Sequence, residues 1–146
     1  MALYQCLVPV GSLDADTRAA LAEAITTVHS AVMCVPPEFC NIVFTEYEPT
    51  TFYTGGRPNT VSAIIGSLRA GHERTERAEL LAKLSASWSS VTGHQSQQIL
   101  VYLNEIDAGS QMEAGIETPG PGEESVWTRQ HTRELGELRQ HNEPRR

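Results

Sequence analysis

From its second residue the chain alternates. Ala2, Tyr4, Cys6 and Val8 fall on one face of an extended segment and Leu3, Gln5 and Leu7 on the other, until Pro9 stops it. This reads as a strand that begins almost at the terminus. Gly11 and Ser12 turn the chain, and Asp14 or Asp16 can cap a helix whose apolar positions Leu21, Ile25, Val28 and Val32 recur at helical spacing. Pro36 and Pro37 break that helix, and NIVFTEYE, from Asn41 to Glu48, is rich in strand formers. Strand, helix and strand make one βαβ unit over about residues 2–49.

A connection with Gly55 and Gly56 follows, suited to a turn or hairpin, and then the pattern starts again. Val61 to Leu68 is strand-like, ERAELLAKLSASWSSV puts Leu80, Leu84, Trp88 and Val91 on one helical face, and QILVYLNE is another strand. This second βαβ unit covers about residues 60–106. RAALAEAI from Arg18 and RAELLAKL from Arg77 match 59 residues apart, a weak repeat signal that the shared element order reinforces. The fold class is therefore α/β, two tandem βαβ units forming a four-stranded sheet. Right-handed crossovers put both helices on one face and leave the other in need of cover, which predicts an oligomer.

The remainder changes character. A Gly- and Pro-rich excursion over 107–127 ends in Trp127, and from Thr128 to Arg146 almost every residue is polar. Leu135 and Leu138 can support a short helix on a neighbour, but a solvated tail is the preferred reading.

A net charge of -7 disfavours a nucleic-acid partner, and the basic pair Arg145 and Arg146 stands only at the very end. No apolar run approaches the roughly 20 residues of a membrane span, and the start lacks a signal peptide's basic region, so a cytoplasmic protein without a membrane partner is expected. Cys6, Cys34 and Cys40 make an odd count with no CxxC spacing, which argues against a disulfide framework. His29, Cys34 and Cys40 match no common zinc pattern; neither a metal nor a cofactor is expected.

Several residues can carry chemistry. Met followed by Ala is a pair whose initiator is commonly removed, and the resulting Ala2 amine, with an ordinary pKa of about 7.7 to 8, can exchange protons near neutrality. His29 lies at the edge of its helix's apolar stripe, where a half-buried imidazole satisfied by a backbone carbonyl is the plain reading. Arg69 ends the third strand in SLRAGHER with His72 and Arg74 close behind, either a carboxylate-binding cluster or a solvated turn. Tyr102 in the fourth strand and Glu113 in the excursion can position a water if they converge.

Taken together, two βαβ units, AITTVH ending in His29, Arg69 at the end of strand three, and VYLNEIDAGSQMEAG with Tyr102 and Glu113 resemble the tautomerase superfamily, specifically the cis-3-chloroacrylic acid dehalogenase group. Pro119, Pro121, Gly122 and Trp127 extend the likeness over about the first 127 residues. The resemblance implies a homotrimer and a catalytic set of terminal Pro, His, two Arg, Tyr and Glu. His29, Arg69, Tyr102 and Glu113 match that set, while Ala2 stands in place of the Pro and His72, or Arg74 swinging in, in place of the second Arg. It further implies an enzyme that moves protons on a small anionic or carbonyl substrate by tautomerisation, isomerisation or hydration, with dehalogenation disfavoured. The alternatives are a noncatalytic trimeric binding or scaffold protein and an isomerase or cyclase for a larger metabolite. If Met1 stays, the amine is displaced by one residue, roughly 3.3 Å along a strand.

Overall fold

The computed structural model describes residues 1–142; Arg145, Arg146 and the end of the polar tail lie outside the described residues. Strand β1 (Ala2–Pro9) leads to helix α1 (Ala15–Met33), where the Asp14 side chain accepts a bond from Thr17 N at 2.7 Å and so caps the helix. Strand β2 (Cys40–Tyr47) completes the first unit, and the small hairpin β3 (Tyr53–Thr54) and β4 (Arg57–Pro58) turns at Gly55 and Gly56. The second unit repeats the first: β5 (Ser62–Arg69), α2 (Arg74–Thr92) and β6 (Ile99–Ile106). A capping box of Glu73 and Glu76 opens α2, and Gly93 closes it in the left-handed region.

The four long strands form one mixed sheet in the order β2-β1-β5-β6. Each unit pairs its own strands in parallel, as a crossover helix requires, and the units meet through antiparallel β1 and β5 with Ala2 opposite Leu68. That antiparallel seam sets the beginning of the chain beside the end of β5. Both helices lie on one face, where Leu21, Ile25, Leu80, Leu84 and Trp88 close over Tyr4, Cys6, Val8, Ile64 and Leu68. The alternation in β1 is strict: all four of its helix-side residues are buried. Gly66 pairs with Tyr4, and a Cβ there would meet Tyr4 Cε1 at 2.7 Å, so the absent side chain is what makes room for the phenol ring. On the opposite face Leu3, Val43 and Tyr102 remain exposed.

After β6 the chain makes a second hairpin, β7 (Met112–Glu113) and β8 (Ile116–Glu117), whose two loop residues Ala114 and Gly115 both have positive φ, as a tight hairpin turn demands. Helices α3 (Glu124–Gln130) and α4 (Thr132–Asn142) follow. The reading of this tail as solvated chain is corrected here. Leu135 is buried and Arg139 Nε reaches Glu38 Oε1 at 2.8 Å, so α4 returns to its own chain. An i, i+4 ion pair between Arg133 and Glu137 adds local helical support that polarity alone concealed.

Candidate functional site

The site grows out of the seam between the units. Pairing of Ala2 with both Leu68 and Cys40 carries Met1 to the end of the sheet beside Arg69. Met1, Arg69 and His72 line a cavity of about 130 Å³ walled by Val35, Phe39 and Trp127. Met1 also borders a wider hollow of about 700 Å³ that holds Asn41, Ser67 and Glu113. The α-amino end of the chain thus stands between two recesses. Burial drives the Met1 amine below its usual 8.0; the Glu113 carboxylate opposes the shift and the Arg69 guanidinium adds to it. Such an amine is more readily a free base than an exposed one.

His29 is only 2% exposed, and its Nδ1 lies 2.9 Å from Tyr4 Oη. The sequence reading placed it half-buried against a backbone carbonyl; the partner is instead a phenol from the facing strand. Burial pushes the imidazole down to about 4, with the N-terminal charge and His72 adding to the shift, so His29 is neutral. Burial also raises the Tyr4 phenol well above its ordinary range, so the phenol keeps its proton and donates it to Nδ1. The imidazole proton then sits on Nε2, which is buried and has no partner among the described residues.

Arg69 is 8% exposed and already engaged. Its Nη1 donates to Pro119 O at 2.9 Å and Gly120 O at 3.1 Å, and its Nη2 to Glu124 Oε1 at 2.5 Å. His72 is half-buried in the same cavity, and burial, aided by Arg69, lowers its pKa although Glu76 opposes this. A neutral imidazole does not replace a guanidinium charge. Arg74 is exposed at the first turn of α2 and does not line the cavity. Its neighbour Arg77 turns back instead, donating to His72 O and to Glu105 Oε1 at 3.2 Å, and so holds the loop that carries His72.

Glu113 sits at the start of the second hairpin, where Asn41 Nδ2 donates to its Oε1 at 2.8 Å and approaches Ala2 O at 3.4 Å. Tyr102 stands apart. It pairs with Ile65, opposite Gln5, three residues along β1 from Ala2 and two strands over, and it is 59% exposed on the open face. Strand spacings put it roughly 14 Å from Ala2. Within one chain, then, the terminus, His29, Arg69, His72 and Glu113 come together, and Arg74 and Tyr102 do not join them.

Sequence reasoning missed Tyr4, Asn41 and Glu124. Tyr4 carried a signal, because a phenol on a buried face needs a polar partner. Asn41 becomes visible once β1 and β2 are paired in register, Leu3 opposite Asn41. Glu124 carried no local signal, since its partner lies 55 residues away.

The family described as putative oxalocrotonate tautomerase enzyme matches residues 1–132. The crystal structure of N1, a member of the cis-3-chloroacrylic acid dehalogenase family, superposes with a TM-score of 0.88 at 25% identity, covering 94% of this chain and 99% of that one. Native Ps01740 is 32% identical with a TM-score of 0.73, over 76% of this chain and 99% of that one. Native fused 4-OT, at 24% identity and a TM-score of 0.72 over 79% of this chain and 94% of that one, shares the fold. No curated protein matches the chain. A match over nearly the whole chain, on a doubled βαβ sheet whose first strand starts beside Arg69, makes this protein a member of the tautomerase superfamily, in its cis-3-chloroacrylic acid dehalogenase-like group.

Proposed function

We propose that the protein is a proton-transfer enzyme that tautomerises, isomerises or hydrates a small unsaturated carbonyl or carboxylate metabolite without the family's usual Pro. The observation that carries this is the desolvated α-amine held between Arg69 and Glu113. In this reading the amine takes the proton, and the Nε2–H of neutral His29 and a free N–H of Arg69 donate to the oxygen on which charge develops. Glu113, aimed by Asn41, returns a proton to carbon or orients a water. Removal of Met1 would hand the amine's role to Ala2; intact-mass measurement of the purified chain distinguishes the two.

The open face of the sheet favours assembly. Fused 4-OT chains of like fold form trimers, and a homotrimer here would cover Leu3, Val43 and Tyr102 and bring Tyr102 of a neighbouring copy toward this end of the sheet. Its three cysteines are unpaired, as the reducing cytoplasm keeps them. The test is turnover of a panel of 2-hydroxydienoates and phenylenolpyruvate. Glu113→Gln should lower kcat by about 10²-fold or more; a panel without any product from the unmutated protein rejects the reading.

A further inference from the structure

Arg69 is the cation at the base of the smaller cavity, and the chain has already supplied its anion. A guanidinium has five N–H donors, two on each Nη and one on Nε. Both Nη1 hydrogens go to the carbonyls of Pro119 and Gly120, and Nη2 goes to the Glu124 carboxylate. The edge formed by Nη1 and Nη2 is therefore closed by three oxygens of the excursion. The remaining edge, Nη2 with Nε, cannot take a carboxylate as a two-bond fork while Glu124 holds Nη2. What is left is single N–H donors, enough for one uncharged oxygen.

Glu124 is held in place by more than this bond. It opens α3, and three residues on Trp127 Nε1 donates to Glu117 O at 2.7 Å while its ring packs edge-on to Phe39 with centroids 6.0 Å apart. Glu123 Oε2 accepts from Gly120 N at 3.1 Å, tying the same turn together. Burial pushes the Glu124 carboxyl up, but the Arg69 bond and backbone donors outweigh it and hold the group below its ordinary range. It is an anion at neutral pH. His72 offers no second cation, being held toward its neutral form in the same cavity.

We infer that Glu124 is a specificity-determining residue, which neutralises Arg69 from within the chain and restricts the cavity to uncharged carbonyl ligands with an apolar body. The walls suit such a body. Val35, Phe39 and Trp127 surround a volume of about 130 Å³, near the roughly 150 Å³ of a cavity that takes benzene. The inference rests on the preceding reading in that this cavity is the ligand site, and it narrows the substrate class to ketones, aldehydes, esters or amides.

Binding of an isosteric pair, cinnamamide and cinnamate, tests this by calorimetry on the full chain without requiring turnover. The unmutated protein should bind the amide at least about tenfold more tightly than the acid, the ratio commanded by one charge-assisted hydrogen bond. Glu124→Gln, nearly isosteric at a half-exposed position, should raise affinity for cinnamate about tenfold and leave cinnamamide within about twofold. Glu124→Gln combined with Arg69→Lys, which keeps a charge but loses the fork, should lose most of that gain. If the unmutated protein binds cinnamate as tightly as cinnamamide, or Glu124→Gln changes nothing, the inference falls and the proton-transfer reading stands. If neither ligand binds either protein, the cavity is not the ligand site and both fall.

Discussion

Tyr4 Oη and His29 Nδ1 meet 2.9 Å apart inside the core, their rings edge to face at 79°. This one bond fastens the first strand to the late turns of α1 and fixes the tautomer that leaves His29 Nε2 protonated. The packing behind it is backbone-deep, because the phenol lies where only Gly66 leaves space. Tyr4→Phe keeps the ring and removes the donor, so Nδ1 becomes a second buried atom without a partner. Chemical denaturation should show a loss of about 1–3 kcal/mol, with little change in the denaturant slope. An unchanged midpoint would show that the imidazole finds another donor.

The neutral His29 makes stability depend on pH with a definite sign. Its folded pKa is lowered to about 4 from an ordinary 6.5. As pH falls, the unfolded chain takes up this proton first. The contribution is therefore complete above about pH 6.5 and is lost as pH falls through that value toward about 4. The total from this group is of order 3 kcal/mol. Unfolding free energies measured across this window should decline toward acid, and His29→Gln should flatten the decline. His72, shifted in the same direction, accounts for the slope that remains.

Periodicity made much of this legible. The strict alternation of Ala2, Tyr4, Cys6 and Val8 and the spacing of Leu21, Ile25, Leu80 and Leu84 identify strands and helix faces because burial follows those periods directly. The terminus, His29, Arg69 and Glu113 were likewise legible as candidates. The contacts that define them were not. Arg69 to Glu124 and Asn41 to Glu113 join residues 55 and 72 positions apart, and no local pattern encodes such pairs. The tail misled for a related reason: α4 is polar nearly throughout, and one buried Leu135 with an ion pair to Glu38 is too sparse a stripe to stand out.

Asn41 is a positioning residue in the proposed reaction, for it touches Glu113 and the backbone of Ala2 rather than a substrate. Asn41→Leu removes both bonds at an exposed position of the open face. Turnover should fall by up to about 10²-fold through misplacement of the Glu113 carboxylate, chiefly in kcat rather than KM. Asn41→Gln, with the same amide on a longer stem, should recover part of it. Equal activity in all three proteins would remove Asn41 from the site.

Gly71 links the end of β5 to the excursion that covers Arg69. Its φ is +108°, and a Cβ there would stand 2.3 Å from Pro121 Cγ and 2.9 Å from Pro121 Cβ, a rigid ring that cannot rotate aside. Gly71→Ala must therefore move the Pro119 to Glu124 segment away from Arg69 or strain the strand end. Gly11 provides the control, since its φ is +70° but nothing lies within 4 Å of the site of its Cβ. Gly11→Ala should cost about 1–2 kcal/mol of backbone strain alone. Gly71→Ala should cost more, up to about 4 kcal/mol, and should also change the emission of Trp127, seated on Glu117 O and Phe39 by the displaced segment. The comparison isolates the contact with Pro121 from the φ penalty: equal losses with unchanged emission would mean that the excursion yields freely and does not hold Arg69 in place.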